Sequence, residues 1–205
     1  MNHVAEPEAA TLLEPISFVD VATTERLHAR LATAAGAAGL VDVVYRTVDT
    51  PVGVLLLAAT RHGLARVAYA SEDHDHVLEI LAERISPRIL HVPDRLEEVI
   101  RQLEEYFEGN RRRFDVPLDL SLSKGFRQTV LRTLPAIDYG RTASYAEVAV
   151  AAGSPKAVRA VGTACATNPL PVVVPCHRVV RSDGSTGGYV GGAEAKHTLL
   201  DLETA

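Results

Sequence analysis

The part of this 205-residue chain best suited to covalent chemistry is a cysteine set between a proline, a histidine and an arginine. Residues 172–174 are three valines, Pro175-Cys176-His177-Arg178 interrupts the apolar run, and Val179-Val180 resumes it. The thiolate is the nucleophile in cysteine chemistry, and nearby cations or an imidazole base favour it. Sequence neighbours need not meet in space, so an inert Cys176 stays open on spacing alone. The other cysteine, Cys165, shares a helical face with Val158 and Val161 and reads as a small buried hydrophobe. Two cysteines without C-x-x-C spacing form neither a disulfide framework nor a metal knuckle, so both are expected as free thiols. After Cys176 comes a polar, Gly-dense loop over residues 182–192, whose glycines allow close backbone approach to a flat ligand. No Gly-Lys-Ser/Thr follows, so it is not a phosphate loop.

The elements that must position these groups are mostly helical after Leu120. Phe126, Val130, Leu131 and Leu134 share one face, ended by Pro135, and Asp138-Tyr139-Gly140 turns the chain. Ser144 followed by Glu147 is a capping box that starts a helix ending at Gly153. Ser154-Pro155 is expected to start a second helix, with Ser as N-cap and Pro in the first turn, stopped by Asn168-Pro169. Two short helices across a Gly-Ser turn are a helix-turn-helix signature. On the second, Val158, Val161 and Cys165 are expected to pack inward, while Arg159, Gly162, Thr163 and Ala166 make a small outer face carrying one long cation. Residues 172–174 are expected to be buried and extended, and a last helix runs from about Ala193 with Leu199, Leu200 and Leu202 as its apolar content.

Before Leu120 the pattern is β and then helical. Residues 41–46 and 52–59 read as strands joined at Asp49-Thr50-Pro51, with residues 64–70 as a third. Two helical stripes follow: Val77, Leu78, Leu81 and Ile85, then Leu96, Val99, Ile100, Leu103 and Phe107, stopping at Gly109. Residues 1–39 are Ala-rich and acidic, with a short helix expected after Thr23-Thr24 towards Leu31. The fold class expected is therefore a small α/β (α+β) N-terminal sheet domain, residues 40–120, then a mostly helical C-terminal domain, residues 121–205, behind an extension, residues 1–39.

Composition narrows the function classes. No window reaches the roughly 18 apolar residues of a membrane helix, and Glu6, Glu8 and Glu14 stand where a signal peptide would be basic. A soluble, cytoplasmic protein with no membrane partner is expected. The net charge of −5 is uneven: residues 1–120 hold 12 basic and 20 acidic side chains, and residues 121–205 hold 9 and 6. Between Lys124 and Arg181 only Asp138 and Glu147 oppose Lys124, Arg127, Arg132, Arg141, Lys156, Arg159, Arg178 and Arg181. That is either a phosphate footprint or an ordinary solvated surface.

Pro175-Cys176-His177-Arg178-Val179-Val180, with Asn168-Pro169 upstream and Gly188-Tyr189-Val190-Gly191-Gly192 downstream, resembles the O6-alkylguanine-DNA alkyltransferases. The likeness runs from Phe126 to Glu203 and, more weakly, from Tyr45 to about Asp119. It implies direct-reversal repair of double-stranded DNA by a monomer, with base flipping, minor-groove contact, little sequence preference and no cofactor. The donor implied is O6-alkylguanine, with O4-alkylthymine left open. Cys176 would be the irreversible acceptor; His177 would draw off its proton through a water, and Glu203 would orient that histidine. Tyr145 would crowd a backbone phosphate and help protonate the departing guanine, while Asn168 would brace the turn beside the site. Arg159 would fill the stack in place of the flipped nucleotide, with Lys156, Gly162, Thr163 and Ala166 also facing DNA. Pro171, Val179, Tyr189 and Val190 would form the pocket, the carbonyls of Cys176 and Val179 reading the guanine amino group.

Three features depart from parts of that family. Both cysteines lie in the C-terminal half, so the N-terminal zinc site of some members has no cysteine ligands here. Val190 replaces a Ser, leaving only a backbone donor, and Ala166 replaces a basic residue that some members carry. Asp73-His74-Asp75-His76 reads as a solvated helix start, so no metal is expected. The alternatives to repair are a lesion sensor, which the acceptor cysteine argues against, a thiol hydrolase, for which no oxyanion hole is marked, and an alkylation-responsive regulator.

Overall fold

The computed structural model describes residues 20–204. Residues 1–19 of the proposed extension, Glu6, Glu8 and Glu14 among them, lie outside the described residues. The chain divides into two compact units, residues 1–40 and 41–205. In the first, helix α1 (Val21–Ala37) is twice the expected length. Asp20 caps it by accepting from the Thr23 backbone, and it ends only with Gly39 in the left-handed region at φ 66°. Thr23 and Thr24, read as the start, lie inside its first turn; a helix so rich in alanine needs no further local signal.

The second unit begins with a four-stranded sheet in the order β3-β2-β1-β4, formed by β1 (Val43–Val48), β2 (Leu55–Thr60), β3 (Gly63–Tyr69) and β4 (Ile89–His91). β1, β2 and β3 pair antiparallel, while β4 adds parallel to β1. β4 was not anticipated, because three residues give a periodicity argument nothing to work on. The apolar run of β2 is explained by burial on both faces. Leu55 and Leu57 join the main core, whereas Leu56 and Ala58 pack with Val77 and Leu81 of α2 (His74–Arg84). α3 (Glu97–Phe107) lies in the main core through Val99, Ile100, Leu103 and Tyr106.

The chain then crosses back along the sheet edge. Leu64 donates to the Pro117 carbonyl and Asp119 donates to the Leu64 carbonyl, both at 2.8 Å. Gly63, at φ 135°, is required here, since a Cβ would sit 2.2 Å from the Pro117 oxygen. The helical region comprises α4 (Phe126–Thr133), α5 (Tyr145–Ala151), α6 (Val158–Ala166) and α7 (Gly192–Thr204). A two-stranded parallel ribbon of β5 (Ala143–Ser144) and β6 (Val179–Val180) ties the start of α5 to the segment after Cys176.

Three local expectations are corrected. Ser154-Pro155 forms a turn closed by the Ala157 amide on the Ser154 carbonyl, and α6 begins only at Val158; Pro at the second turn position suits that geometry. Val158 is exposed, while Ala164 joins Val161 and Cys165 inside. Residues 172–174 are buried but turned, with Val172 at φ 70° and Val174 donating to the Leu170 carbonyl. A β-branched residue at positive φ is held there only by its surroundings, and such strain concentrates at working sites.

Candidate active site

Cys176 opens a single 3₁₀ turn, Cys176–Arg178, delivered by the strained Val172 turn and followed at once by β6. The thiol is 2% exposed, and Asn168 aims its amide at it. Asn168 Nδ2 donates to Cys176 Sγ at 3.0 Å and to the Val174 carbonyl at 2.9 Å, while its Oδ1 accepts from the Leu170 amide at 2.9 Å. One buried side chain thus uses both its protons and its oxygen to join the end of α6, the turn and the sulfur. Burial pushes the thiol up to about 11, against the Asn168 hydrogen bond and the Lys196 charge, which both lower it. The resting sulfur is therefore protonated at neutral pH and needs a base. The cation beside it in sequence does not help, because Arg178 points away to Glu203.

His177 is fully buried, with Nε2 2.8 Å from Glu203 Oε1. Glu203 also accepts from Tyr106 at 2.7 Å, from Arg178 Nε at 2.8 Å and Nη2 at 2.9 Å, and from the Gly140 amide at 3.3 Å. Burial alone would raise this carboxyl, but bonds from His177, Arg178 and Tyr106 outweigh it and hold the group at about 2. A charged Glu203 makes His177 Nε2 the donor, which leaves Nδ1 with its lone pair free. Nδ1 is buried and has no partner among the described residues. Burial lowers the imidazole despite the Glu203 hydrogen bond and charge, so the ring is neutral above its ordinary 6.5 and able to take a proton.

The remaining expected residues fall into two groups. Pro171 and Val179 are buried, and Tyr145, Tyr189 and Val190 are half-buried. Tyr189 stands edge-on to His177 at 6.3 Å, and a Cβ on Gly187 would overlap the Tyr145 hydroxyl at 2.2 Å. Tyr145 is set by the capping box, with Ser144 Oγ accepting from Glu147 at 3.2 Å and Glu147 from Ser144 at 2.6 Å, as its residues indicated. Lys156, Arg159, Thr163 and Ala166 are exposed along the turn and α6, with Gly162 partly so. A cleft of about 290 Å³ brings Ala166, Asn168 and Val190 together opposite Arg66, Ile80 and Leu122.

Two buried residues escaped the sequence reading. Tyr106 lies on the same stripe as Leu103, a helical signal present but assigned to Phe107 instead. Lys196 is 0% exposed and donates to the Val179 carbonyl at 2.7 Å, so that carbonyl is already engaged. Lys196, Leu199 and Glu203 follow i, i+3, i+7 spacing on α7, a buried stripe concealed by its two charges. Of the basic stretch, Arg178 is buried on Glu203 and leaves the surface; Lys124, Arg127, Arg132, Arg141, Lys156, Arg159 and Arg181 are exposed. Cys165 is buried on the inner face of α6, and burial pushes its thiol up to about 12. Asp73 caps α2 by accepting from the Asp75 amide, and among the described residues no three His, Cys, Asp or Glu side chains are grouped to hold a metal. No described helix is long and apolar enough to cross a membrane.

Comparison with known proteins gives two matching family models. Residues 125–205 match the 6-O-methylguanine DNA methyltransferase DNA binding domain, and residues 43–120 match its ribonuclease-like domain. A Mycolicibacterium paratuberculosis methylated-DNA–protein-cysteine methyltransferase is 40% identical over 161 residues, covering 78% of this chain and 92% of its own. The constitutive Bacillus subtilis enzyme of that name is 41% identical over 162 residues, covering 78% and 94%. Among solved structures, Mycobacterium tuberculosis O6-methylguanine methyltransferase superposes with a TM-score of 0.70 at 38% identity, covering 79% of this chain and 93% of its own. Mycobacterium tuberculosis OGT in complex with DNA gives 0.68 at 38%, covering 78% and 92%.

Proposed function

This chain belongs to the 6-O-methylguanine DNA methyltransferase family, and on that premise we propose how its own residues perform the family's reaction. The activity is that of a methylated-DNA–protein-cysteine methyltransferase: DNA is the partner, and repair is direct, by irreversible transfer of an alkyl group from O6-alkylguanine to a protein cysteine after base flipping. The observation that carries our assignment of residues is the pair of buried contacts Asn168–Cys176 and His177–Glu203, a thiol with an amide on its sulfur and, at the next residue, a charge-backed imidazole.

Cys176 Sγ attacks the alkyl carbon as its proton passes to His177 Nδ1, directly or through one water. The S–C bond forms as the C–O6 bond breaks, and the electron pair leaves on guanine. Tyr145 supplies the proton that neutralises the departing base, and burial, which raises its phenol, keeps that proton in place until then. The proton taken up by His177 afterwards returns through solvent to the Tyr145 phenolate, leaving both groups neutral. Glu203 stabilises the imidazolium formed in between. Because the thioether has no hydrolytic route, each molecule acts once. Reaching a paired base requires extrusion at a cost of a few kcal/mol. α6 suits this work, since the small face of Gly162, Thr163 and Ala166 fits the minor groove while Arg159 fills the vacated stack. Lys156 and the other exposed cations hold phosphates, which position the protein without reading sequence. Residues 40–120 act in this reading as the supporting domain and 121–205 as the acceptor domain, in a monomer.

The test is mass spectrometry of the intact protein and its peptides after mixing with a duplex carrying one O6-methylguanine. One methyl on the peptide containing Cys176 is expected, with Cys176→Ala gaining none yet still binding the duplex. A methyl on another residue, or several per chain, would refute the assignment.

A further inference from the structure

Tyr69 is the last residue of β3, far in sequence from the acceptor cysteine, and it is 3% exposed. Its backbone is pinned: the Tyr69 amide donates to Glu72 Oε1 at 2.9 Å, and Glu72 is ion-paired with Arg66. Its side chain reaches into the loop after Cys176. The Tyr69 and Tyr189 hydroxyls lie 3.0 Å apart, and their rings meet edge to face at 5.9 Å and 77°. Tyr189 in turn stands edge-on to His177 at 88°.

A second contact is independent of that hydroxyl pair. A Cβ at Gly191 would lie 2.4 Å from the Tyr69 ring, so the loop rests on this ring and can do so only because residue 191 has no side chain. The same strand also holds the other side of the site, since the Val67 amide donates to the Pro169 carbonyl at 2.8 Å, one residue past Asn168. β3 therefore fixes both segments flanking the thiol, the Asn168-Pro169 turn by its backbone and the Tyr189 loop by a ring and a hydroxyl.

We propose that Tyr69 is a positioning residue that sets the width of the alkyl pocket through Tyr189, so that the N-terminal sheet takes part in selecting the size of the group transferred. The proposal rests on the reading of Tyr189 as the pocket wall and adds the residue that holds it. The Tyr69 hydroxyl bonds to Tyr189 and not to the thiol. Its effect passes through Tyr189 and must therefore appear in discrimination between substrates rather than in the chemical step common to them.

The experiment compares the full-length protein with Tyr69→Phe and Tyr69→Leu. The same duplex carries either O6-methylguanine or O6-benzylguanine, and the second-order transfer rate is measured for each, alongside the melting temperature. In Tyr69→Phe the ring still supports the loop but the hydroxyl tether is gone; the benzyl-to-methyl rate ratio rises about threefold or more, the scale of one net hydrogen bond. Tyr69→Leu, which also removes the stop against Gly191, raises it further. A merely structural role would lower both rates and the melting temperature together and leave the ratio alone. An unchanged ratio in Tyr69→Phe overturns the proposal even if Tyr69→Leu does not fold. Absence of transfer by the unaltered protein would instead refute the functional reading beneath it.

Discussion

Glu203 sits where Tyr106, His177, Arg178 and Gly140 all donate, so its charge is the residue-scale fact on which the site depends most. Glu203→Gln leaves the Arg178 guanidinium buried without a counter-charge and is expected to cost about 3–5 kcal/mol, measurable by urea unfolding at neutral pH. The pH dependence has a definite sign. A carboxyl held at about 2 instead of 4.5 stabilises the fold fully above 4.5 and loses that contribution, on the order of 3 kcal/mol, as pH falls towards 2. The gap between the parent protein and Glu203→Gln should therefore narrow over that window, and a constant gap would contradict the assigned charge. His177 has a lowered value, so the unfolded chain takes up its proton first as pH falls below 6.5, and stability declines from there downward. For the same reason the acid limb of the transfer rate should lie below pH 6.5. A limb centred at or above 6.5 would mean that the imidazole is not the buried base described.

At the scale of elements, the proposed distinction between holding DNA and opening it falls to α6. Arg159 is exposed on a face whose other members are small, with Thr163 Oγ1 turned back onto the Arg159 carbonyl. Arg159→Ala should slow transfer from a paired O6-methylguanine by about tenfold or more while leaving a single-stranded substrate little changed, because only the paired base must be replaced in its stack. Equal losses on both substrates would reduce Arg159 to a phosphate contact. The elements also separate what local signals convey from what they do not. The capping box at Ser144 and Glu147 was legible because both partners lie within one turn. The start of α6 was not, since Ser154-Pro155 serves equally as a helix start or as a turn, and only packing chooses between them. Val172 likewise read as extended, because a buried valine gives no local notice of a positive φ imposed by its surroundings.

For the whole molecule, every residue assigned to the chemistry lies in the unit formed by residues 41–205. A chain starting at Val41 should fold and transfer one methyl to Cys176 at close to the full-length rate, judged by circular dichroism and peptide mass. A large loss would give residues 1–40 a role in the reaction. The uneven charge also takes its meaning at this scale. The acidic first half keeps the net charge at −5, yet seven exposed cations remain around the helical half after Arg178 is spent on Glu203. In the proposed reading, DNA contact therefore falls to the basic half of a chain that is acidic elsewhere.

By itself the sequence determined the family and the fold of a small sheet domain followed by a helical domain with its helix-turn-helix region, and it marked Cys176 as the candidate thiol, because those signals are local: a six-residue block, periodic stripes and caps. Tertiary structure alone decided how the thiol is controlled. Tyr106 meets Glu203 across 97 residues, Tyr69 meets Tyr189 across 120, and Lys196 meets the Val179 carbonyl across 17. A tyrosine on an apolar stripe looks the same in sequence whether its hydroxyl ends on a carboxylate, on another phenol or in water. Only folding brings the partner, removes the water, and turns a ring into part of a site.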